Sequence, residues 1–456
     1  MKQNGNGTEH LTPQEKRALL AELLRKKAAA REHAAAQERL GSFDRFSVSS
    51  TELEAEAVLD PGIHPGRMHF NPQNEPARIF LTGATGFLGA FLLNDLLENT
   101  RAGIYCLVRC TGVEEGKQRI LKKLESYQLK GGHEASRIIP VPGDLAQPRL
   151  GLPPDQFQRL SEEMDIIYHS AAMVNWINSY EQLKPANVMG IQEILKLACQ
   201  GKLKPLHYVS TLAVFPLFRN AEISVAREDD SLDHGGLLHG GYTQSKWVAE
   251  KLVMTARERG LPVSIYRPGM ITGHSQSGAW NTGDFTCQLI KSWIVAGYAP
   301  DLDASMDMTP VDYVSSAIFH LSRSEQSLGQ VFHLANTQPV DVQELYGWIR
   351  SRGYRLELMP YDRWRAAVIA LAELSQEKAA RALTPLLMAG EAEKASQWVA
   401  GVPKFDCSNT LKWLAGTSIR CPVVDEQVVR TYFSYLVGSG FLKASQAVRA
   451  APNLER

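Results

Sequence analysis

Thr82-Gly83-Ala84-Thr85-Gly86-Phe87-Leu88-Gly89 is the stretch on which the fold turns. It reads G-x-x-G-x-x-G, directly after the apolar run Arg78-Ile79-Phe80-Leu81 and at the opening of a helical segment, 87–97. Glycine at these places permits a tight turn and lets backbone N–H groups approach a pyrophosphate at the positive end of a helix. A glycine triplet alone says little; a strand before it and a helix after it give the motif its meaning. Thr82, Gly83, Thr85, Gly86, Phe87, Leu88 and Gly89 are therefore the expected phosphate-side contacts.

Outward from this loop, short apolar runs at 78–82, 104–108, 138–141, 166–169 and 206–210 alternate with helical stretches. That alternation predicts an α/β fold, a Rossmann-type doubly wound parallel sheet. Beyond about residue 341 the strand signals thin. Alanine-rich helices at 364–374 and 378–387, and a last one at 424–436, predict a smaller, mostly helical C-terminal substrate lobe. The expected partition is an N-terminal helix (1–50), a linker (51–76), a dinucleotide-binding domain with substrate-channel segments (77–340) and the helical lobe (341–456).

Composition bounds the function. The 456 residues suggest two to three domains at roughly 150 residues each. Lysine plus arginine and aspartate plus glutamate both number 49, which argues against a nucleic-acid binder working through bulk positive charge. A hydrophobic share of 44% with 21% charged residues is that of a folded chain. The six cysteines contain no C-x-x-C pair, so reduced thiols fit better than a zinc site or a disulfide framework. The first residues lack the apolar run of a signal peptide, and no stretch reaches the ~20 apolar residues of a membrane span. A cytoplasmic protein that engages no membrane is the expectation.

Thr12-Pro13-Gln14-Glu15 has the form of a capping box, followed by Leu19, Leu20, Leu23 and Leu24 at helical spacing beside a basic flank. Two readings stand for this helix: a solvated element packed on its own protein, or a docking element for a partner protein. The proline- and glycine-rich stretch that follows reads as a linker.

The candidate chemistry lies further along. At the end of the second strand, where an NAD-specific protein places an acidic residue, the chain reads Leu107-Val108-Arg109-Cys110. An arginine pairs with a 2′-phosphate, so NADPH is the expected cofactor, with Arg109 its selector and Arg119 a downstream assistant. Asp144 and Leu145, after the third strand, are expected on the adenine side. Tyr242-Thr243-Gln244-Ser245-Lys246 gives Y-x-x-x-K, one helical turn apart and on one face. Upstream, Ser210-Thr211 ends a strand with two hydroxyls.

In this order the motifs resemble the extended short-chain dehydrogenase/reductases, and among them the thioester reductase domains that end non-ribosomal peptide and polyketide assembly lines. Carboxylic acid reductases carry a similar terminal domain. The resemblance runs from about residue 76 to 442. It rests on the glycine loop, on His169-Ser170-Ala171-Ala172-Met173-Val174-Asn175-Trp176, Asn187-Val188-Met189-Gly190 and Tyr266-Arg267-Pro268-Gly269, and on Pro310-Val311-Asp312-Tyr313 and Lys404-Phe405-Asp406-Cys407-Ser408-Asn409-Thr410. It implies a catalytic set of Thr211, Tyr242 and Lys246, with Ser210 ranked second to Thr211. It also implies cofactor contacts from Ser170, Ala171, Ala172, Asn187, Tyr242, Lys246 and Arg267. The implied reaction is hydride transfer from NADPH to an acyl or peptidyl thioester on the phosphopantetheine of a carrier protein. An aldehyde is released, with an alcohol after a second hydride. The implied partner is that acyl or peptidyl carrier protein, met by a stand-alone reductase or a last short subunit.

Other stretches are look-alikes. Asp230-Ser231-Leu232 has no glycine pair before it, unlike a carrier-protein serine. Gly273-His274-Ser275-Gln276-Ser277-Gly278 misses the spacing of a hydrolase elbow by one residue. No histidine pair suggests a metal, and Trp176, Trp280 and Trp293 read as core or channel wall. Competing functions are a fatty acyl-CoA or acyl-ACP reductase, an extended-family dehydrogenase or epimerase on another small molecule, and a nucleotide-binding regulator without chemistry.

Overall fold

A computed structural model describes residues 48–66, 75–129, 135–216, 224–233, 238, 240–374 and 404–445. Seven strands form the central sheet: β1 (Arg78–Thr82), β2 (Gly103–Val108), β3 (Ile138–Pro142), β4 (Ile166–His169), β5 (Leu206–Val209), β6 (Val263–Pro268) and β7 (Val331–Leu334). Their spatial order is β7-β6-β5-β4-β1-β2-β3, every pair parallel. This is the doubly wound arrangement, and the order of winding reverses between β1 and β4. Ligands of such sheets sit beyond the carboxyl ends of the strands at that reversal.

The strands are apolar on both faces because helices cover both. Ile79 and Leu81 point into one core with Ile104, Tyr168 and Phe332. Phe80 points into the opposite one with Ile167, Leu206 and Ile265. That alternation is the two-residue period of a strand. The first core is closed by helices Phe87–Asn99 and Val311–Ser322, the second by Pro154–Glu163, Gly190–Cys199 and Gly241–Glu258. A third core, built on Trp280, Trp293, Tyr346, Trp364 and Tyr432, belongs to the helical lobe.

Two sequence expectations are changed here. The stretch read as a linker carries a helix, Ser50–Glu56, closed at its start by a Ser49/Glu52 capping box. Its Leu53, with Leu59 and Ile63, is buried in the second core of the sheet domain, and Arg259 donates to the carbonyls of Leu59, Asp60 and Ile63. The lobe, in turn, does not begin at 341. Helix Phe285–Ala296 joins Val342–Ser351, Tyr361–Leu374 and Glu426–Gly438 in its core. Conversely, Lys404–Phe405 pairs with Val225–Ala226, and helix Ser408–Leu414 lies against β7. The leucine-striped helix expected within 1–50 and the helix expected at 378–387 lie outside the described residues.

Candidate active site

The sheet register brings the expected residues to one line. Thr82 at the end of β1 faces Leu107 on one side and His169 on the other; His169 faces Tyr208 of β5. Arg109, Asp144 and Leu145, Ser170–Ala172 and Thr211 all follow directly from these strand ends.

Backbone proximity explains the glycine loop. Gly83 has φ +85°, and a Cβ there would meet the Ala171 backbone nitrogen at 2.8 Å. A Cβ on Gly89 would stand 2.0 Å from the Gly83 carbonyl oxygen. The turn closes through a Gly86 N–H to Gly83 carbonyl hydrogen bond of 2.7 Å, and helix Phe87–Asn99 starts at Gly86 with no side-chain cap. Uncapped first-turn N–H groups beside a cradle too tight for side chains fit a pyrophosphate. The loop is braced from β4: the Thr82 hydroxyl sits 2.8 Å from His169 Nδ1 and accepts from Ala171 N–H. Burial drives the His169 pKa down to about 3, aided by Lys246, so the imidazole is neutral.

At the end of β2, Arg109 is exposed. The Arg119 guanidinium donates to the Arg109 carbonyl and lies 3.8 Å from Glu115. Arg119 thus shapes the turn that carries Arg109. Asp144 caps its own turn through Ala146 N–H.

Tyr242 and Lys246 lie on helix Gly241–Glu258 and both are buried. Trp176 stands beside the Tyr242 ring at 5.1 Å. Burial raises the Tyr242 pKa to about 12 against the opposing influence of the neighbouring Thr211 hydroxyl, so the phenol holds its proton. The Lys246 ammonium donates to the Tyr208 hydroxyl and to the Val209 carbonyl, each at 2.9 Å. Burial pulls its pKa down to about 7, with Glu250 opposing. Ser210 turns the other way, donating to Glu250 rather than facing Tyr242.

Two of the expected cofactor contacts are engaged by protein partners. Arg267 is fully buried: Nε and Nη2 donate to Glu250 Oε1 at 2.9 and 2.6 Å, and Nη1 lies 3.1 Å from His333 Nε2. Its guanidinium is enclosed in the sheet domain in an ion pair. Asn187 is also buried, its amide clamping both backbone polar groups of Met173 and the Ser245 hydroxyl. It joins the loop after β4 to the helix of Tyr242. Sequence reading passes over Glu250, although Tyr242, Lys246 and Glu250 recur every fourth residue on one helix face. Of the tryptophans, Trp280 and Trp293 are lobe core, while Trp176 is half-buried against Tyr242.

A family model described as Male sterility protein, an NAD-binding family, matches residues 81–318. The terminal R domain from the myxalamid PKS-NRPS biosynthetic pathway superposes with a TM-score of 0.82. It is 49% identical, over 87% of this chain and 99% of that one. The chain belongs to the terminal reductase (R) domains of this family. It is accordingly an NAD(P)H-dependent oxidoreductase. The R domain of a non-ribosomal peptide synthetase from Mycobacterium tuberculosis is similar at a TM-score of 0.66 and 26% identity, over 88% of this chain and 98% of that one. A linear gramicidin synthase chain of Brevibacillus parabrevis is 41% identical over 407 residues, 88% of this chain. Isonitrile lipopeptide synthase of Streptomyces coeruleorubidus is 36% identical over 411 residues, again 88% of this chain. The chain spans only 8% and 27% of those two relatives. Among the described residues, no helix is long and apolar enough to cross a membrane, and no cluster of three or more histidine, cysteine or acidic side chains is arranged to hold a metal.

Proposed function

We propose that this chain reduces an acyl or peptidyl thioester, held on the phosphopantetheine of a carrier protein, and releases it as an aldehyde. The observation that carries this reading is the pair Tyr242 and Lys246 on one face of helix Gly241–Glu258, with Lys246 bonded to Tyr208 and to the Val209 carbonyl at the end of β5, two residues before Thr211. It stands in a chain that covers almost all of a terminal R domain.

NADPH, when bound, supplies the hydride that adds to the thioester carbonyl carbon. Thr211 and Tyr242 donate to the carbonyl oxygen as negative charge develops there, and the Tyr242 phenol, protonated at neutral pH, passes its proton to that oxygen. Lys246, which donates to Tyr208 and to the Val209 carbonyl at the strand end, would bind the nicotinamide ribose. Collapse of the resulting hemithioacetal expels the phosphopantetheine thiol and leaves the aldehyde; repeating the hydride step gives an alcohol. The glycine loop and the Ser170–Ala172 backbone would hold the pyrophosphate and nicotinamide sides, and Asp144 and Leu145 the adenine side. Arg109, exposed at the end of β2, would pair with a 2′-phosphate and select NADPH. Residues 1–50 would serve as the docking element.

The test is direct. Purified protein with NADPH and the octanoyl thioester of N-acetylcysteamine should consume NADPH and release octanal, trapped as a hydrazone. NADH should serve less well, and Arg109→Ala should raise the NADPH KM about 10-fold or more while sparing NADH, since a charge-assisted contact is worth ~1.5–3 kcal/mol. NADPH loss without aldehyde or alcohol would refute the reading.

A further inference from the structure

The Glu250 carboxylate lies two turns beyond Tyr242 and one beyond Lys246, fully buried, and its two oxygens have separate partners. Oε1 receives both Arg267 donors from β6, and Oε2 receives the Ser210 hydroxyl from the end of β5. Ser210 is the residue before Thr211, and its own N–H donates to the Tyr266 carbonyl at 2.6 Å. The strand end that presents Thr211 is thereby fastened to the helix that presents Tyr242 through Ser210, beside the bonds from Lys246 to Tyr208 and Val209.

We propose that Glu250 and Ser210 form a positioning pin for the reduction, setting the placement of Thr211 against Tyr242 and keeping a counter-charge beneath Lys246. The inference rests on Thr211, Tyr242 and Lys246 being the reducing set. A buried carboxylate that served stability alone would need only its arginine; the Ser210 bond adds a tie to the strand end that carries the chemistry. The arrangement also shows what opposes the desolvation of Lys246. From β5 the ammonium meets Tyr208 and the Val209 carbonyl; from β4, the neutral His169 stacks on Tyr208; its own helix supplies Tyr242 and Glu250. Glu250 is the one anion in that set, and it works against the desolvation of Lys246. Glu250 is itself faced by Arg267 from β6, with His333 of β7 behind, held neutral by burial and by Arg267.

Two variants separate the jobs. Ser210→Ala removes the tie and leaves every charge in place. It should lower kcat about 10-fold, since sub-ångström misplacement of a catalytic group is costly, in protein that is still fully folded at the assay temperature, with the NADPH Kd and the pH profile near wild type and the thermal midpoint lowered only as far as one lost buried hydrogen bond requires. Glu250→Gln keeps an acceptor oxygen but removes the charge, leaving Arg267 unbalanced. The alkaline limb of its kcat/KM profile should move to lower pH, because Lys246 then loses its proton sooner. Both variants are assayed on the octanoyl thioester of N-acetylcysteamine and on octanal. Ser210→Ala with a wild-type kcat on both substrates overturns the pin. So does a loss of activity that only tracks a loss of folded protein. A wild-type enzyme that reduces octanal but no thioester refutes the substrate reading, and the Ser210→Ala comparison on octanal still decides the pin.

Discussion

Gly89→Ala puts the phosphate cradle to its most demanding test. The added Cβ would stand 2.0 Å from the Gly83 carbonyl oxygen and 2.5 Å from its carbon, where real Cβ contacts essentially never fall below 3.0 Å. Relief requires a retreat of about 1 Å between the start of helix Phe87–Asn99 and the Gly83 turn. Neither side yields readily. The turn backs onto the Ala171 backbone, and the helix is wedged by Leu88, Phe91 and Leu92 into the first core. Displacement of that size, at groups meant to face a pyrophosphate, should weaken NADPH binding about 10²-fold, or about 2.7 kcal/mol. Overpacking should cost a further 1–3 kcal/mol of stability, as order-of-magnitude figures. Fluorescence titration of NADPH and thermal unfolding read the two effects separately. Gly347→Ala is the control: it lies exposed in helix Val342–Ser351 with nothing within 4 Å of the new Cβ. It should bind NADPH normally and gain roughly 0.5–1 kcal/mol from helix propensity. If Gly89→Ala binds NADPH within threefold of wild type, the contact argument is wrong.

Three further expectations follow from named side chains. Tyr242→Phe should lower kcat by about 10²–10⁴ with the NADPH Kd unchanged; an unchanged kcat would remove Tyr242 from proton transfer. Leu53→Ala, at a fully buried side chain, should cost ~2–5 kcal/mol. A loss below ~1 kcal/mol would mean that residues 48–66 are not integral to the sheet domain. Asp95 has a buried, unpartnered Oδ2, and burial chiefly pushes its pKa from 3.8 up to about 7, with Ser315 opposing and Glu98 and Asp312 adding. The folded state then holds a proton that the unfolded chain has released, so this group's contribution to stability declines as pH rises from about 4 to about 7. Asp95→Asn should therefore stabilise the protein above pH 7 by roughly 1–3 kcal/mol and leave it unchanged near pH 3, as read from thermal midpoints across pH. Parallel pH curves for the two proteins would sink that argument.

The first five strands of the sheet are legible almost residue by residue, because a strand covered on both faces is a continuous apolar run with polar breaks, whereas Val263–Pro268 and Val331–Leu334 are not among the runs read. Ile166–His169 and Arg78–Thr82 have the bounds expected of them. Helix Ser50–Glu56 is hidden because Leu53, Leu59 and Ile63 are too sparse to show a period amid proline and glycine. The family resemblance ranks Thr211 ahead of Ser210, whose hydroxyl the fold commits to Glu250. What an arginine pairs with is a matter of tertiary contact. Arg267 lies near the end of a strand much as Arg109 does, yet one is sealed against a glutamate and the other open to solvent. The two-residue strand Lys404–Phe405 is shorter than any periodicity can register.

The Glu228 carboxylate receives the backbone N–H groups of His333, Asn409 and Thr410 and the Thr410 hydroxyl. These donors lie 105 to 182 residues further along the chain. During synthesis, at roughly 5–20 residues per second, Glu228 emerges about 9 to 36 seconds before its last donors do. Until then the edge of the sheet beside β7 carries an acidic side chain without its destined donors and a seam not yet closed by residues 404–414. Loop closures this long are slow. A late step of folding should therefore be the fastening of that strap, and a chain released before Thr410 would expose the seam to aggregation while the glycine loop, complete some 320 residues earlier in the sequence, had long been in place.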